Sequence, residues 1–288
     1  MNTPVLRSVL FMPASNQRAM DKARSLPSDA IIFDLEDAVA VDAKDNAREQ
    51  VLSQLAAGGY GERHMVVRSN ALSTPWGEAD IRAVAKSTID TICLPKIETV
   101  AELEQVGALL AECGRADIRL WAMIETPLGV RNVNQLAQFD ALTALVMGTS
   151  DLASELRVPH RADRLGLQYS LGRCVLAARQ NGKVILDGVQ LDLEDAEGLK
   201  AICEQGRALG FDGKTLIHPS QIETANSAFG HSKEDVEHAR QILEVWETAQ
   251  TQSKGVAVLN GKLVELMHVE EATRVLQQVG GAALELTS

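Results

Sequence analysis

The feature that most constrains this chain is a rhythm. Short apolar runs rich in β-branched residues alternate with longer segments in which apolar residues recur every three to four positions. That is the pattern of a buried strand followed by a crossover helix leading to a parallel neighbour. Strands are predicted near Ser8–Met12, Ala30–Leu35, His64–Arg68, Thr91–Pro95, Arg119–Ile124, Leu145–Gly148, Val184–Gly188 and Thr215–His218. Between them lie helical faces such as Ala47, Val51 and Leu55 within 42–57, and Val100, Leu103, Val106 and Leu110 within 100–112. Eight such units in about 230 residues have the size of a closed (β/α)₈ TIM barrel, an α/β fold. An open doubly wound sheet is the competing arrangement of the same pattern.

Past Phe229 the rhythm changes. One amphipathic helix is expected over Ser232–Gln250, with Val236, Ala239, Leu243 and Trp246 on one face. A segment from Gly255 to Leu266 follows, with a strand and turn around Asn260-Gly261, and then a last helix carrying Val269, Ala272, Leu276 and Val279. The chain therefore divides into a catalytic barrel over 1–230 and a C-terminal helical extension over 231–288. Such an extension covers an active-site mouth, docks on a neighbouring subunit or caps the barrel.

Composition narrows the function classes. With 288 residues, 45% of them apolar and 23% charged, the chain can bury a large core and is not disordered. No stretch is long and apolar enough for a membrane span and no leader pattern opens the sequence, so a cytoplasmic location is expected. The cysteines Cys93, Cys113, Cys174 and Cys203 are widely spaced and read as inert thiols rather than as disulfides or a thiolate metal site. A net charge of −11 argues against nucleic acid. Positive charge is nevertheless concentrated early in the chain, at Arg7, Arg18, Lys22, Arg24, Lys44 and Arg48, which leaves room for a small anionic substrate.

In a barrel of this kind the active site is built where strands end. The predicted strands end in Asp34-Leu35-Glu36-Asp37, Arg68-Ser69-Asn70, Glu125-Thr126 and Ser150-Asp151. Four acids, Glu36, Asp37, Glu125 and Asp151, thus converge with Arg68 on one rim. Carboxylates crowded in a low-dielectric cleft repel one another unless a cation neutralises them, and a hard divalent ion does so with one or two carboxylates plus water and substrate oxygens. Glu125 and Asp151 are the expected ligand pair. By strand alternation Glu36 and Asp37 point to opposite sides, so only one of them faces the ion. His218, beside Pro219, reads as a structural hydrogen-bonding residue, and Trp76 either shapes the mouth or packs the third helix.

Several stretches resemble the citrate lyase β-subunit-like enzymes of the HpcH/HpaI aldolase superfamily, near their malyl-CoA lyase and malyl-CoA thioesterase branch. They are Arg7-Ser8-Val9-Leu10-Phe11-Met12-Pro13, Asp34-Leu35-Glu36-Asp37-Ala38-Val39, Val67-Arg68, Thr74-Pro75-Trp76-Gly77, Leu94-Pro95-Lys96, Ile124-Glu125-Thr126, 148–152, and 210–219. The resemblance implies Mg²⁺, with Mn²⁺ as a substitute, on Glu125 and Asp151, and Arg68 at the reacting oxygen. It implies a homotrimer or homohexamer whose C-terminal extension closes over a neighbouring subunit's site, and a CoA thioester of a short 3-hydroxy acid as substrate. Lys22 is then the leading anchor for the nucleotide end of CoA, Phe11 lies along the acyl path, and Arg7, Arg18, Lys44 and Arg48 are secondary phosphate candidates.

Two positions depart from that pattern. Asn16 stands where many of these lyases carry an arginine, with Arg18 as its substitute, and Glu265 stands where they carry an aspartate that handles a proton in the adjacent site. The extra methylene moves a carboxylate by roughly 1.5 Å, enough to redirect catalysis. Glu265 with His268-Val269, and Arg161 to Leu165, are similar to the thioesterase branch. The leading expectation is carbon–carbon cleavage of a malyl-, methylmalyl- or citramalyl-type thioester, with hydrolysis of the same thioester as the alternative. Further alternatives are a subunit acting on an acyl carrier protein and a phosphate-binding isomerase barrel, for which 186–189 and 211–214 are poor anion loops.

Overall fold

The computed structural model describes residues 5–251 and 256–280. Eight strands, β1 (Ser8–Pro13), β2 (Ala30–Asp34), β3 (His64–Arg68), β4 (Thr91–Leu94), β5 (Arg119–Ile124), β6 (Leu142–Met147), β7 (Val184–Asp187) and β8 (Gly213–Leu216), form a closed parallel barrel in chain order. Closure is made by β1 against β8, with Val9 opposite Thr215, which excludes the open sheet. The surrounding helices are α1 (Gln17–Ala23), α2 (Lys44–Ala57), α3 (Gly77–Val84), α4 (Val100–Glu112), α5 (Pro127–Ala137), α6 (Thr149–Leu156), α7 (Gln168–Gln180), α8 (Ala196–Leu209) and α9 (Ile222–Phe229).

Strand alternation sorts the core into two layers. Val9, Ile32, Val66, Trp121, Val146 and Leu186 fill the barrel interior, whereas Leu10, Ile31, Phe33, Ile92, Leu145 and Ile185 belong to the larger layer beneath the helices. Because both faces of every strand are covered, the strands read as continuous apolar runs.

Helix starts follow local chemistry. Thr99 and Glu102 form a reciprocal capping box at α4. Thr126 caps α5 by accepting from the Gly129 N–H at 3.0 Å, with Pro127 at the first helical position. That cap fixes the chain immediately after Glu125.

Several boundaries differ from expectation by a residue or more. β6 begins at Leu142 because a register shift between Leu120 and Trp121 on β5 lets the pairing start earlier. β8 ends at Leu216, since the N–H groups of Ile217 and His218 donate to the Gln221 side chain instead of to a ladder. Helix α2 starts at Lys44, the preceding Val41–Ala43 forming a 3₁₀ turn.

The chain divides into two compact units between Phe229 and Gly230. The second contains α10 (Lys233–Thr251), an antiparallel hairpin of β9 (Ala257–Leu259) and β10 (Lys262–Val264), and α11 (Leu266–Gln278). Asn260 and Gly261 at its tip both have positive φ, 50° and 77°, as a two-residue hairpin turn requires. Ala239, Leu243, Val264, Val269, Ala272 and Leu276 give this unit its own core. Gly255 and residues 281–288 of the expected extension lie outside the described residues. Among the described residues no helix is long and apolar enough to cross a membrane.

Candidate active site

The inward-pointing positions at the C-terminal strand ends carry Phe11, Asp34, Arg68 and Glu125, and these line a cavity of about 380 Å³ together with Asp37, Asp151, Met123 and Leu191. Asp34 is the last residue of β2 and Arg68 the last of β3, and the ladder places them directly opposite one another. Their side chains meet in a bidentate pair, with Arg68 Nε and Nη2 donating at 2.7 Å to the two Asp34 oxygens. Nη1 is left facing Glu36 Oε2 at 3.0 Å and Asp37 at 3.7 Å. The guanidinium carbon stands 4.7 Å from the centre of the Phe11 ring.

Burial opposes the charge of Arg68, which is 6% exposed, but Asp34 and then Glu36 and Glu125 outweigh it and hold the guanidinium firmly protonated. Burial likewise acts to raise the Asp34 carboxyl, yet Arg68 and the N–H groups of Glu36 and Ala38 bring it below its ordinary value.

The remaining acids are less compensated. Burial raises Glu36 above its ordinary value, although Arg68 and Lys96 act the other way. Its Oε2, close to Arg68 as it is, accepts no aligned hydrogen bond. Glu125 is 3% exposed, and burial followed by the charge of Glu36 pushes it up to about 7. Gly148, at the end of β6, makes room for it, since a Cβ there would stand 2.2 Å from Glu125 Oε2.

Sequence reasoning missed two residues. Asp34 was passed over in favour of Glu36 and Asp37, although it terminates β2 itself. Lys96 follows Leu94-Pro95 at the end of β4, where the strand-end criterion also applies. Its backbone N–H donates to Glu125 Oε1 at 2.8 Å, and its ammonium lies 2.7 Å from Glu36 and 3.3 Å from Asp151. With φ of 50°, Lys96 occupies the left-handed region that residues other than glycine seldom adopt, a feature concentrated at functional sites.

Other expectations need correction. Arg7 precedes β1 and so stands at the opposite, N-terminal rim, where Asp29 holds it by bonds of 2.9 and 2.7 Å; it does not face the cavity. Glu36 and Asp37 do not alternate as strand residues, because β2 ends at Asp34; both reach Arg68 from the loop, Glu36 buried and Asp37 exposed. Lys44 is buried with its ammonium on the carbonyl oxygens of Leu35 and Glu36, and Arg48 is paired with Asp80 and Asp45, so neither is a phosphate anchor.

Arg18 and Lys22 are in the first and last turns of α1, and neither lines the cavity. His218 accepts from the Ser220 N–H at 3.2 Å, a structural cap as expected. The indole of Trp76 lies 5.8 Å from the Lys44 ammonium. Cys93, Cys174 and Cys203 are buried free thiols, while Cys113 is half-buried and also free. Glu265, in the second unit, is exposed at the start of α11, its N–H donating to His268 Nδ1 at 3.0 Å. Exposed Leu263, Leu266 and Met267 flank it.

Among the described residues no cluster of three or more acidic, histidine or cysteine side chains is arranged as a closed metal cage. The donor set is of another kind. Five acids, Asp34, Glu36, Asp37, Glu125 and Asp151, share the two cations Arg68 and Lys96, so negative charge is in excess even with Glu125 pushed up to about 7. Two of these acids, Glu125 and Asp151, stand at the cavity without an arginine directly on them. An open pair of carboxylates with that excess fits a hard divalent ion whose other ligands are water and substrate.

Comparisons with known proteins agree with this chemistry. The family model for HpcH/HpaI aldolase/citrate lyase matches residues 7–219, and a model for C–C bond lyases of the TIM-barrel fold matches 175–280. A (3S)-malyl-CoA thioesterase of Cereibacter sphaeroides (strain KD131) is 48% identical over 277 residues, 96% of this chain and 95% of that protein. The citrate lyase subunit beta of Leuconostoc mesenteroides subsp. cremoris is 34% identical, covering 96% of this chain and 94% of its own. Among solved structures, protein CitE from Mycobacterium tuberculosis in complex with magnesium, acetoacetate and coenzyme A superposes with a TM-score of 0.77 at 30% identity, over 95% of this chain and 97% of that one. With the family model matched over residues 7–219 and a relative at 48% identity matched over nearly its full length, this chain belongs to the HpcH/HpaI aldolase/citrate lyase family.

Proposed function

We propose that this chain hydrolyses a short 3-hydroxyacyl-CoA thioester of the (3S)-malyl-CoA type, using Mg²⁺ or Mn²⁺, as a cytoplasmic homotrimer or homohexamer. The observation that carries this reading is the 48% identity to a (3S)-malyl-CoA thioesterase across nearly the whole of both chains. The magnesium in the CitE complex supports the cation. When bound to Glu125 and Asp151, it supplies Lewis-acid polarisation of the substrate's oxygens.

The protein's own groups have separate tasks. Asp34 occupies Nε and Nη2 of Arg68, so Nη1 is the edge that stabilises negative charge growing on the thioester oxygen. A water oxygen bonds to the carbonyl carbon, the C–S bond breaks with its electron pair on sulfur, and a water proton ends on that sulfur, giving the free hydroxy diacid and CoA thiol. Glu265, reaching in from a neighbouring subunit's C-terminal unit, takes the proton from the attacking water. Glu36 and Asp37 orient Arg68, Phe11 flanks the acyl path, and Lys22 with Arg18 holds the nucleotide end of CoA.

A second reading, C–C cleavage, draws on the citrate lyase relatives and on the same placement of Arg68. There the hydroxyl loses its proton, the C–C bond breaks, and its electron pair forms a thioester enolate that is then protonated. Incubation with malyl-CoA and Mg²⁺ separates the two. Hydrolysis yields malate and free thiol, cleavage yields acetyl-CoA and glyoxylate, and absence of thiol release overturns the first reading. Glu265→Asp is expected to shift the products toward glyoxylate.

A further inference from the structure

We infer that Lys44 is a positioning residue for Glu36 and, through it, for Arg68. This rests on the reading of Arg68 and Glu36 as working parts of the active site. Lys44 opens α2 and is 6% exposed, an unusual place for an ammonium. Its Nζ donates to the carbonyl oxygen of Leu35 at 2.8 Å and to that of Glu36 at 2.7 Å.

Those two carbonyls belong to the peptide planes immediately before and after the Glu36 Cα. One ammonium gripping both therefore fixes the two backbone dihedrals of Glu36, and with them the direction in which its side chain leaves the chain. The same Leu35 carbonyl accepts from Asn70 Nδ2 at 3.0 Å, and the Glu36 N–H is held by Asp34 at 2.9 Å. Asn70 and Arg48 are in turn bonded to the fully buried Asp80, at 2.6 Å each. The indole of Trp76 covers the ammonium from one side.

The outcome of this bracing is visible one side chain further in. The Glu36 carboxylate spans 3.0 Å to Arg68 Nη1 and 2.7 Å to Lys96 Nζ. Nη1 is the guanidinium edge not taken by Asp34. With Glu36 rotated away, the guanidinium would be held by Asp34 on one side only and Nη1 would lose its set position, and misplacements of about 1 Å at a reacting centre cost roughly a hundredfold in rate.

The test combines a crystal structure of Lys44→Met with a double-mutant cycle on malyl-CoA turnover. The structure is expected to show the Glu36 carboxylate out of hydrogen-bond range of Arg68 while the barrel is unchanged. Turnover is expected to fall about tenfold to a hundredfold with KM altered less than about threefold. In the Glu36→Gln background, the Lys44→Met change should then add little. Glu36 found in its original place, or losses that multiply independently, overturns the inference. If Lys44→Met does not fold, Lys44→Gln takes its place in both measurements, and failure of both to fold assigns Lys44 to the fold and overturns it as well. Should Glu36 move in the crystal while Glu36→Gln and Arg68→Lys both turn over normally, the active-site reading fails and the positioning stands.

Discussion

At the scale of single residues, the centre depends on where a side chain is missing. Gly148 leaves the volume into which Glu125 projects, and an added methyl would overlap the carboxylate at 2.2 Å. The same methyl would stand 2.3 Å from the Glu125 Cβ, so Gly148→Ala, whose φ of −92° suits alanine, is expected to displace both the Glu125 side chain and the end of β5 that carries it. Titration with Mn²⁺ followed by electron paramagnetic resonance should show affinity weakened about tenfold or more; unchanged affinity would remove Glu125 from the cation site. Residues at this scale were only partly legible. Arg68 and Glu125 announced themselves as polar ends of apolar strands. Lys44 did not, since in the sequence it read as a secondary phosphate anchor, and its burial arises only when the Leu35-Glu36 loop folds over it.

At the scale of elements, the eight strands were readable because a barrel strand buried on both faces leaves an uninterrupted apolar run. Their ends were less so. The Gln221 side chain that captures the backbone after β8, and the register shift within β5 that lets β6 start early, are contacts between segments that periodicity does not encode. The strand starts carry a testable consequence too. His64 begins β3 with its ring stacked on Trp121 at 5.4 Å, and burial lowers its pKa below 6.5, outweighing Asp90, which acts the other way. Below pH 6.5 the unfolded chain thus binds a proton that the folded chain resists, so this group costs stability as pH falls and is neutral above it. His64→Phe keeps the stack and should flatten the loss of stability between about pH 7.5 and 5.5 in urea titrations. An equal slope in both proteins would show that other groups carry it.

For the molecule as a whole, the excess of carboxylates over cations at the barrel mouth favours a divalent cation, and one that binds the folded state alone must raise its stability. Calorimetry is expected to show Tm rising with Mg²⁺ by several degrees at about a hundred times Kd, whereas Glu125→Gln combined with Asp151→Asn should lose the increment and, without Mg²⁺, melt no lower than wild type. An increment retained in that variant would place the ion elsewhere. The C-terminal unit was legible as helix, hairpin and helix, its turn from the Asn260-Gly261 pair, and the structure leaves Leu263, Leu266 and Met267 exposed.

The pairing of β1 with β8 also governs the order of events when the polypeptide is made. The first strand has no partner on one side until residues near 215 have emerged, so a growing chain carries Arg68 and the strand-end acids up to Asp151 before the ring that aligns them can shut. Synthesis halted before that point leaves two adhesive sheet margins and no activity, and arrival of the eighth strand retires both hazards in one act.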